Sequence, residues 1–334
     1  MGQDRFSKQT LTSRSIQSEP LVSLSSLPSE LIINIVSHLK DDRKALSTLC
    51  QVSKSFDALV RPVLWEHIVL TPRHYTPPSK WAFDPISNNP KEVLGGIFVS
   101  KRFENSYQGL LGHVKILIIR DHTVTWFKTK DAGRWTPSFP NLRTLDITSS
   151  NPCLNDHSSR RKTPCRLLAG IANVDYLIVR GGIDMNAICI PSVIWKSPKE
   201  IIGIVPTLFP SFDPPFIPAK LGNDVEPLRN LLSLVFIVPP PSIYETISSY
   251  YTFFLISFLR LAAGHPKLKV TFVGEFRYLP NQGPMLEHDQ VVADLRRELD
   301  RKLSSLGWKA EEVSERQDRL EFWKLQDWLD DGRH

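Results

Sequence analysis

The hydrophobic period of the chain changes once. Between residues 26 and 68 apolar side chains recur at helical spacing, and from Val114 onward they recur as short runs at strand spacing. In the first stretch Leu31, Ile32, Ile35, Val36 and Leu39 cover an arc of roughly 140° at 100° per residue, wider than one buried stripe needs. Pro28 suits a first helical position and Glu30 faces the positive end of the helix dipole. Asp42 is placed to cap a second helix carrying Leu46, Leu49 and Cys50, and Ser53 a third carrying Phe56, Leu59 and Val60. Pro62 is expected to stop or bend that third helix. Three such helices hold more apolar surface than about forty residues can bury alone, so something else must cover part of it.

The strand-like runs follow a loose pattern. Val114-x-x-Leu117-x-Ile119, Leu142-x-x-Leu145-x-Ile147, Val174-x-x-Leu177-x-Val179 and Leu231-x-x-Leu234-x-Phe236 match one another, with a poorer copy at Ile201-x-x-Ile204 and a shifted one at Leu268-x-Val270-x-Phe272. Their starts lie 28, 32, 27, 30 and 37 residues apart, at or above the 20–29 residues of leucine-rich repeats. Helices are expected between them: a short one at 165–172, an apolar one at 244–263, and one at 290–306 with Val292, Leu295, Leu299, Leu303 and Leu306 on one stripe. Gly307 should end the last. A strand at 320–322 and a short helix with Leu325, Trp328 and Leu329 are expected to close the stack, as terminal repeats must be capped.

At this point the residues carry a resemblance. Leu27-Pro28-x-Glu30-Leu31, Ile35, Leu39, Leu46, Leu49, Val52-Ser53-Lys54, Phe56, Leu59 and Leu64-Trp65 resemble the F-box. The resemblance implies a three-helix module that docks on the Skp-type adaptor of a cullin–RING (SCF) ubiquitin ligase. On it, Leu27, Pro28, Ile35, Leu39, Leu46, Val52, Leu64 and Trp65 become adaptor-facing or module-packing positions, and sequence does not separate the two roles. The alternative is an ordinary helical subdomain packed on the rest of the chain. Residues 139–147 and 265–270 also resemble repeat starts in fungal-type irregular leucine-rich repeats, although the Asn or Cys expected after the strand is mostly missing. The expected fold is therefore α+β: a three-helix F-box-like module, then an irregular leucine-rich-repeat-like α/β solenoid of stacked parallel strands. An unrelated α/β domain with several buried strands remains the alternative. The expected domains are a disordered polar tail at 1–23, the module at 24–70, a Pro-rich linker at 71–92 and a recognition domain at 93–334.

Composition narrows the function. The chain has 334 residues, 41% hydrophobic and 23% charged, with 26 prolines; this is the profile of a globular protein with many loops. The net charge of +6 is spread along the chain, which gives no argument for nucleic acid. Cys50, Cys153, Cys165 and Cys189 form no Cys-x-x-Cys pair. They point to neither a zinc site nor a disulfide framework, and so to a reducing, cytoplasmic or nuclear location. The N-terminus lacks a signal-peptide core. Residues 246–259 are uncharged but shorter than the ~20 needed to span a membrane, and read as a buried helix.

No catalytic motif stands out, and no cofactor or metal is expected. Asp156-His157 in a polar loop reads as a solvated turn. Two loops are candidates for holding a protein target. Phe209, Phe212 and Phe216 lie in a Pro-stiffened loop whose rigid rings suit an interface, or tuck the loop onto its own domain. Arg160, Arg161 and Lys162 are placed to meet an acidic or phosphorylated segment, or form a solvated surface. The F-box resemblance, joined to a repeat-like domain, implies a non-catalytic substrate receptor that brings a protein to the ligase, with a non-ligase interaction scaffold as the second reading and an enzyme with a dispersed site as the third.

Overall fold

The computed structural model describes residues 27–71, 91–94, 108–120, 137–148, 166–180, 194, 197–204, 230–237, 267–275 and 285–332. Three helices come first: α1 (Ser29–His38), α2 (Arg43–Val52) and α3 (Lys54–Glu66). The Asp42 carboxylate accepts from the Ala45 N–H at 2.9 Å and opens α2; the Ser53 hydroxyl accepts from the Phe56 N–H at 3.2 Å and opens α3. Pro28 stands at the N-cap of α1, one position ahead of the expected one, and its carbonyl accepts from Leu31 and Ile32.

Of the two outcomes expected at Pro62, a stop or a bend, the stop does not occur; the helix continues to Glu66. An interior proline costs about 3 kcal/mol. Two features offset it. Leu64 and Trp65, one turn on, are buried in the core. The Arg43 guanidinium donates to the Val63 and Leu64 carbonyls at 3.2 and 2.9 Å, filling acceptors that a helix end leaves open.

Among the described residues the chain then forms a sheet of nine strands, all parallel: β1 (His67–Thr71), β2 (Lys91–Leu94), β3 (Ile116–Ile119), β4 (Thr144–Thr148), β5 (Tyr176–Arg180), β6 (Glu200–Ile204), β7 (Ser233–Ile237), β8 (Lys269–Val273) and β9 (Leu320–Trp323). The order is β2-β1-β3-β4-β5-β6-β7-β8-β9. From β3 onward each strand pairs with the next in sequence. Thr71, Lys91 and Glu92, expected in a linker, are strand residues; 72–90 lie outside the described residues.

All six strands expected from the pattern occur, as does the seventh expected at 320–322. Leu117, Leu145, Leu177, Ile201, Leu234, Val270 and Leu320 stand side by side across the sheet, at separations of 24 to 50 residues in sequence. Two frames shift. Ile201 pairs with Leu177 and Leu234, so it fills the second apolar position of the pattern, not the first. The buried Pro198 stands two residues ahead of β6, where Val174 and Leu231 stand ahead of β5 and β7. Leu268, also buried, stands only one residue ahead of β8.

Strands β3 to β8 bury both faces, which explains their continuous apolar runs. One face carries Leu117, Ile119, Leu145, Leu177, Val179 and Phe236 in a core continuous with Val36, Leu46, Phe56 and Val60 of the three helices. On that face lie also α4 (Arg166–Ala169), through Leu167 and Leu168, and α5 (His288–Ser305), through Val291, Leu299 and Leu303. Phe236, Phe272 and Phe322 stack in register along it, with ring centroids 5.5 and 5.4 Å apart. The opposite face carries Ile178, Ile202, Val235 and Val273 with Trp328 of α7 (Leu325–Asp330). Between α5 and β9 runs α6 (Ala310–Gln317), anchored by Val313.

α5 ends as expected: Gly307 has φ +83° and the Trp308 N–H bonds to the Leu303 carbonyl. Leu306, expected on the buried stripe, is instead 68% exposed, because the chain leaves the helix one residue earlier. The expected helix at 244–263 and the apolar run at 246–259 lie outside the described residues; no described helix is long and apolar enough to cross a membrane.

Candidate partner-binding surface

The helical arc of α1 divides into two halves. Ile32 and Val36 point into the core at 7% and 1% exposure, while Leu31 and Ile35, one turn apart, are 51% and 43% exposed. Ile33, on the other flank of the helix, is 48% exposed. The excess width of the apolar arc is thus the uncovered part, a pair at i and i+4 on one helix face. At the end of α2, Val52 is 59% exposed.

The structure separates roles that sequence could not. Leu46, Leu64 and Trp65 are buried and hold the module together. Leu27 and Leu39 are half-buried against the same core. Pro28, Ile35 and Val52 face outward. Leu31 and Ile33 were not among the expected site residues. The sequence signals for Leu31 were the width of the arc and its place in the F-box-like motif; for Ile33 there was none, since it lies outside both. Phe209, Phe212, Phe216, Arg160 and Arg161 lie outside the described residues, as do Lys162, Asp156, His157, Cys153, Cys165 and Cys189.

The module's frame is electrostatically supported from inside. Burial lowers the pKa of Arg43 from its ordinary value, opposed by the nearby carboxylates of Asp41 and Glu66; a guanidinium tolerates this and stays charged. Arg61 pairs with Asp57 one turn earlier on α3. At the junction with the sheet, the Lys115 N–H donates to the Glu66 carbonyl at 2.8 Å, and Lys115 Nζ lies 2.9 Å from Glu66 Oε1. The exposed ion pair adds little stability, but the backbone bond fixes α3 against β3. The helices are further tied to the sheet by the shared core. Among the described residues no group of three His, Cys, Asp or Glu is placed to hold a metal ion.

Residues 24–71 match the family model described as F-box-like; the match ends on the last residue of β1. No curated protein and no solved structure matches the chain.

Proposed function

We infer, from the F-box-like domain that this chain carries, that it is the substrate receptor of an SCF-type ubiquitin ligase. The module holds a Skp-type adaptor and, through it, the cullin; the parallel sheet serves as the leucine-rich-repeat-like domain that holds a protein target. The receptor performs no chemistry of its own. It raises the effective concentration of target at a ligase assembled elsewhere, in the cytoplasm or the nucleus.

One observation carries this reading. The module buries its inner residues in a core shared with the sheet and still leaves Leu31 and Ile35 uncovered on a rigid helix. Large apolar side chains held outward at i and i+4 are how a helix presents anchors to a partner. The shared core is also what a scaffold with the module as an internal subdomain would show, and the adaptor test separates the two.

Because the core is shared, deleting residues 26–68 would unfold the sheet and test nothing. The suitable variant is Leu31→Asp with Ile35→Asp in the full chain. Neither side chain supports the core, so folding is retained. Co-purification with the adaptor should fall by at least roughly tenfold, as loss of hot-spot anchors costs ~2 kcal/mol or more. Equal recovery of adaptor by variant and parent would reject the reading.

A further inference from the structure

A groove runs along the edge where the chain enters the strands. Two cavities form it, of about 510 and about 430 Å³, and both reach Leu142 as a common floor. The first lies between the last turn of α3 and the entries to β3 and β4; the second extends past the entries to β5, β6 and β7. The residues just ahead of successive strands line up across it: Glu66, Lys115, Arg143, Asp175, Lys199 and Leu232. Strands are spaced ~4.8 Å apart, so these positions span about 24 Å, the reach of roughly seven extended residues.

The charges along this row are unequal in state. Glu66 is held by Lys115 at 2.9 Å, and Asp175 by Lys199 at 3.0 Å. Arg143 stands between these pairs, exposed, at the wall of the first cavity, with no carboxylate partner among the described residues. Its five donors suit a carboxylate in a bidentate pair. Among the described residues the paired charges on either side cancel, which leaves the positive charge of Arg143 near the middle of the row.

We propose that this groove binds an extended segment of a partner protein, carrying an Asp or Glu side chain that pairs with Arg143. That this segment belongs to the ubiquitination target rests on the receptor reading above; the binding itself does not. An edge built from six separate strand entries is rigid, and an extended chain laid across it meets one entry about every 1.4 residues, so alternate side chains can enter the two cavities.

The test is selection of a random twelve-residue peptide library displayed on phage against the full-length chain. The enriched peptides should share an Asp or Glu, and synthetic copies should bind Arg143→Glu roughly tenfold or more weakly. Replacing that carboxylate by Lys should restore binding to Arg143→Glu and abolish it for the parent. Ala172→Trp, which fills the second cavity without changing charge, should weaken the same peptides. Arg143 makes no side-chain bond that the fold needs, and Ala172 is exposed, so unchanged melting temperatures should accompany both variants. No enrichment, enrichment without acidic residues, or equal binding to Arg143→Glu would overturn the proposal. The Arg143→Glu chain should still capture the adaptor, so failure of the groove and failure of the receptor reading are read separately.

Discussion

A buried ion pair and a buried histidine show how single residues set this protein's stability. Asp146 on β4 and Arg180 on β5 are both about 1% exposed; Arg180 donates from Nε at 2.9 Å and from Nη2 at 2.7 Å to the Asp146 carboxylate. Register places Asp146 beside Ile178, so the arginine reaches diagonally across two positions of the same sheet face. Desolvating both ions offsets most of their attraction, yet removing Asp146 takes from the buried Arg180 the carboxylate that balances its charge. Asp146→Ala should therefore destabilise the protein by about 3–5 kcal/mol. Asp146→Leu combined with Arg180→Met should recover most of that loss in urea denaturation. A double variant as unstable as the single one would show that the pair contributes more than it costs. His288 acts through pH. Burial lowers its pKa, with Lys324 acting in the same direction and Asp289, Glu275 and Asp327 opposing. The unfolded histidine, titrating near 6.5, takes up its proton before the folded one does. Its contribution is thus fully present above that pH and is lost as pH falls toward the depressed folded value. Measured from pH 7 to pH 5, the stability of His288→Gln should fall less steeply than that of the parent. Parallel curves would exclude His288 as the source.

At the scale of elements, caps were more legible than exposure or than the proline inside α3. Gly307 ends α5 in a left-handed conformation that only glycine adopts without cost. Open space surrounds its missing Cβ, so Gly307→Ala should cost about 1 kcal/mol through backbone strain alone. A thermal melt unchanged by this substitution would show that the turn is not held in that conformation. Asp42 and Ser53 were readable as caps for the same reason: their bonds are local, three residues long. Strands β3 to β8 were readable because burial on both faces leaves continuous apolar runs. β1 was not, since His67–Thr71 follows α3 with no Gly or Pro to announce the change. Nor was the split of α1. A helical period tells which side chains share a face, and only the packed fold tells that Ile32 and Val36 are covered while Leu31 and Ile35 are not. The Asp146–Arg180 pair lies further from reach, because partners 34 residues apart meet only once strand register is known.

At the scale of the whole molecule, the helical module and the sheet share one hydrophobic core. β1, the last part of the F-box-like match, is not an edge; β2 pairs on one side of it and β3 on the other. Its Ile68 and Leu70 lie in the same core as Leu46 and Val60 of the module and as Leu145, Val179 and Phe236 farther along the sheet. A partner pulling on α1 is thus connected through packed side chains and backbone bonds to strands that line the groove beside Arg143. This matters for a receptor, since a target held on a hinged domain would lose effective concentration at the ligase. Cooperativity is the measurable consequence. Leu46→Ala in the module should cost about 2–5 kcal/mol and Phe272→Ala in the sheet about 3–5 kcal/mol. If the core is continuous, each should lower the urea midpoint seen by both tryptophan fluorescence and circular dichroism, with the two probes remaining coincident. Hydrogen exchange should show the same: Leu46→Ala should speed the amides of β8, far along the sheet, as much as those of α3. Acceleration confined to α2 and α3 would mean that the module unfolds on its own and that the rigid link between α1 and the groove does not exist.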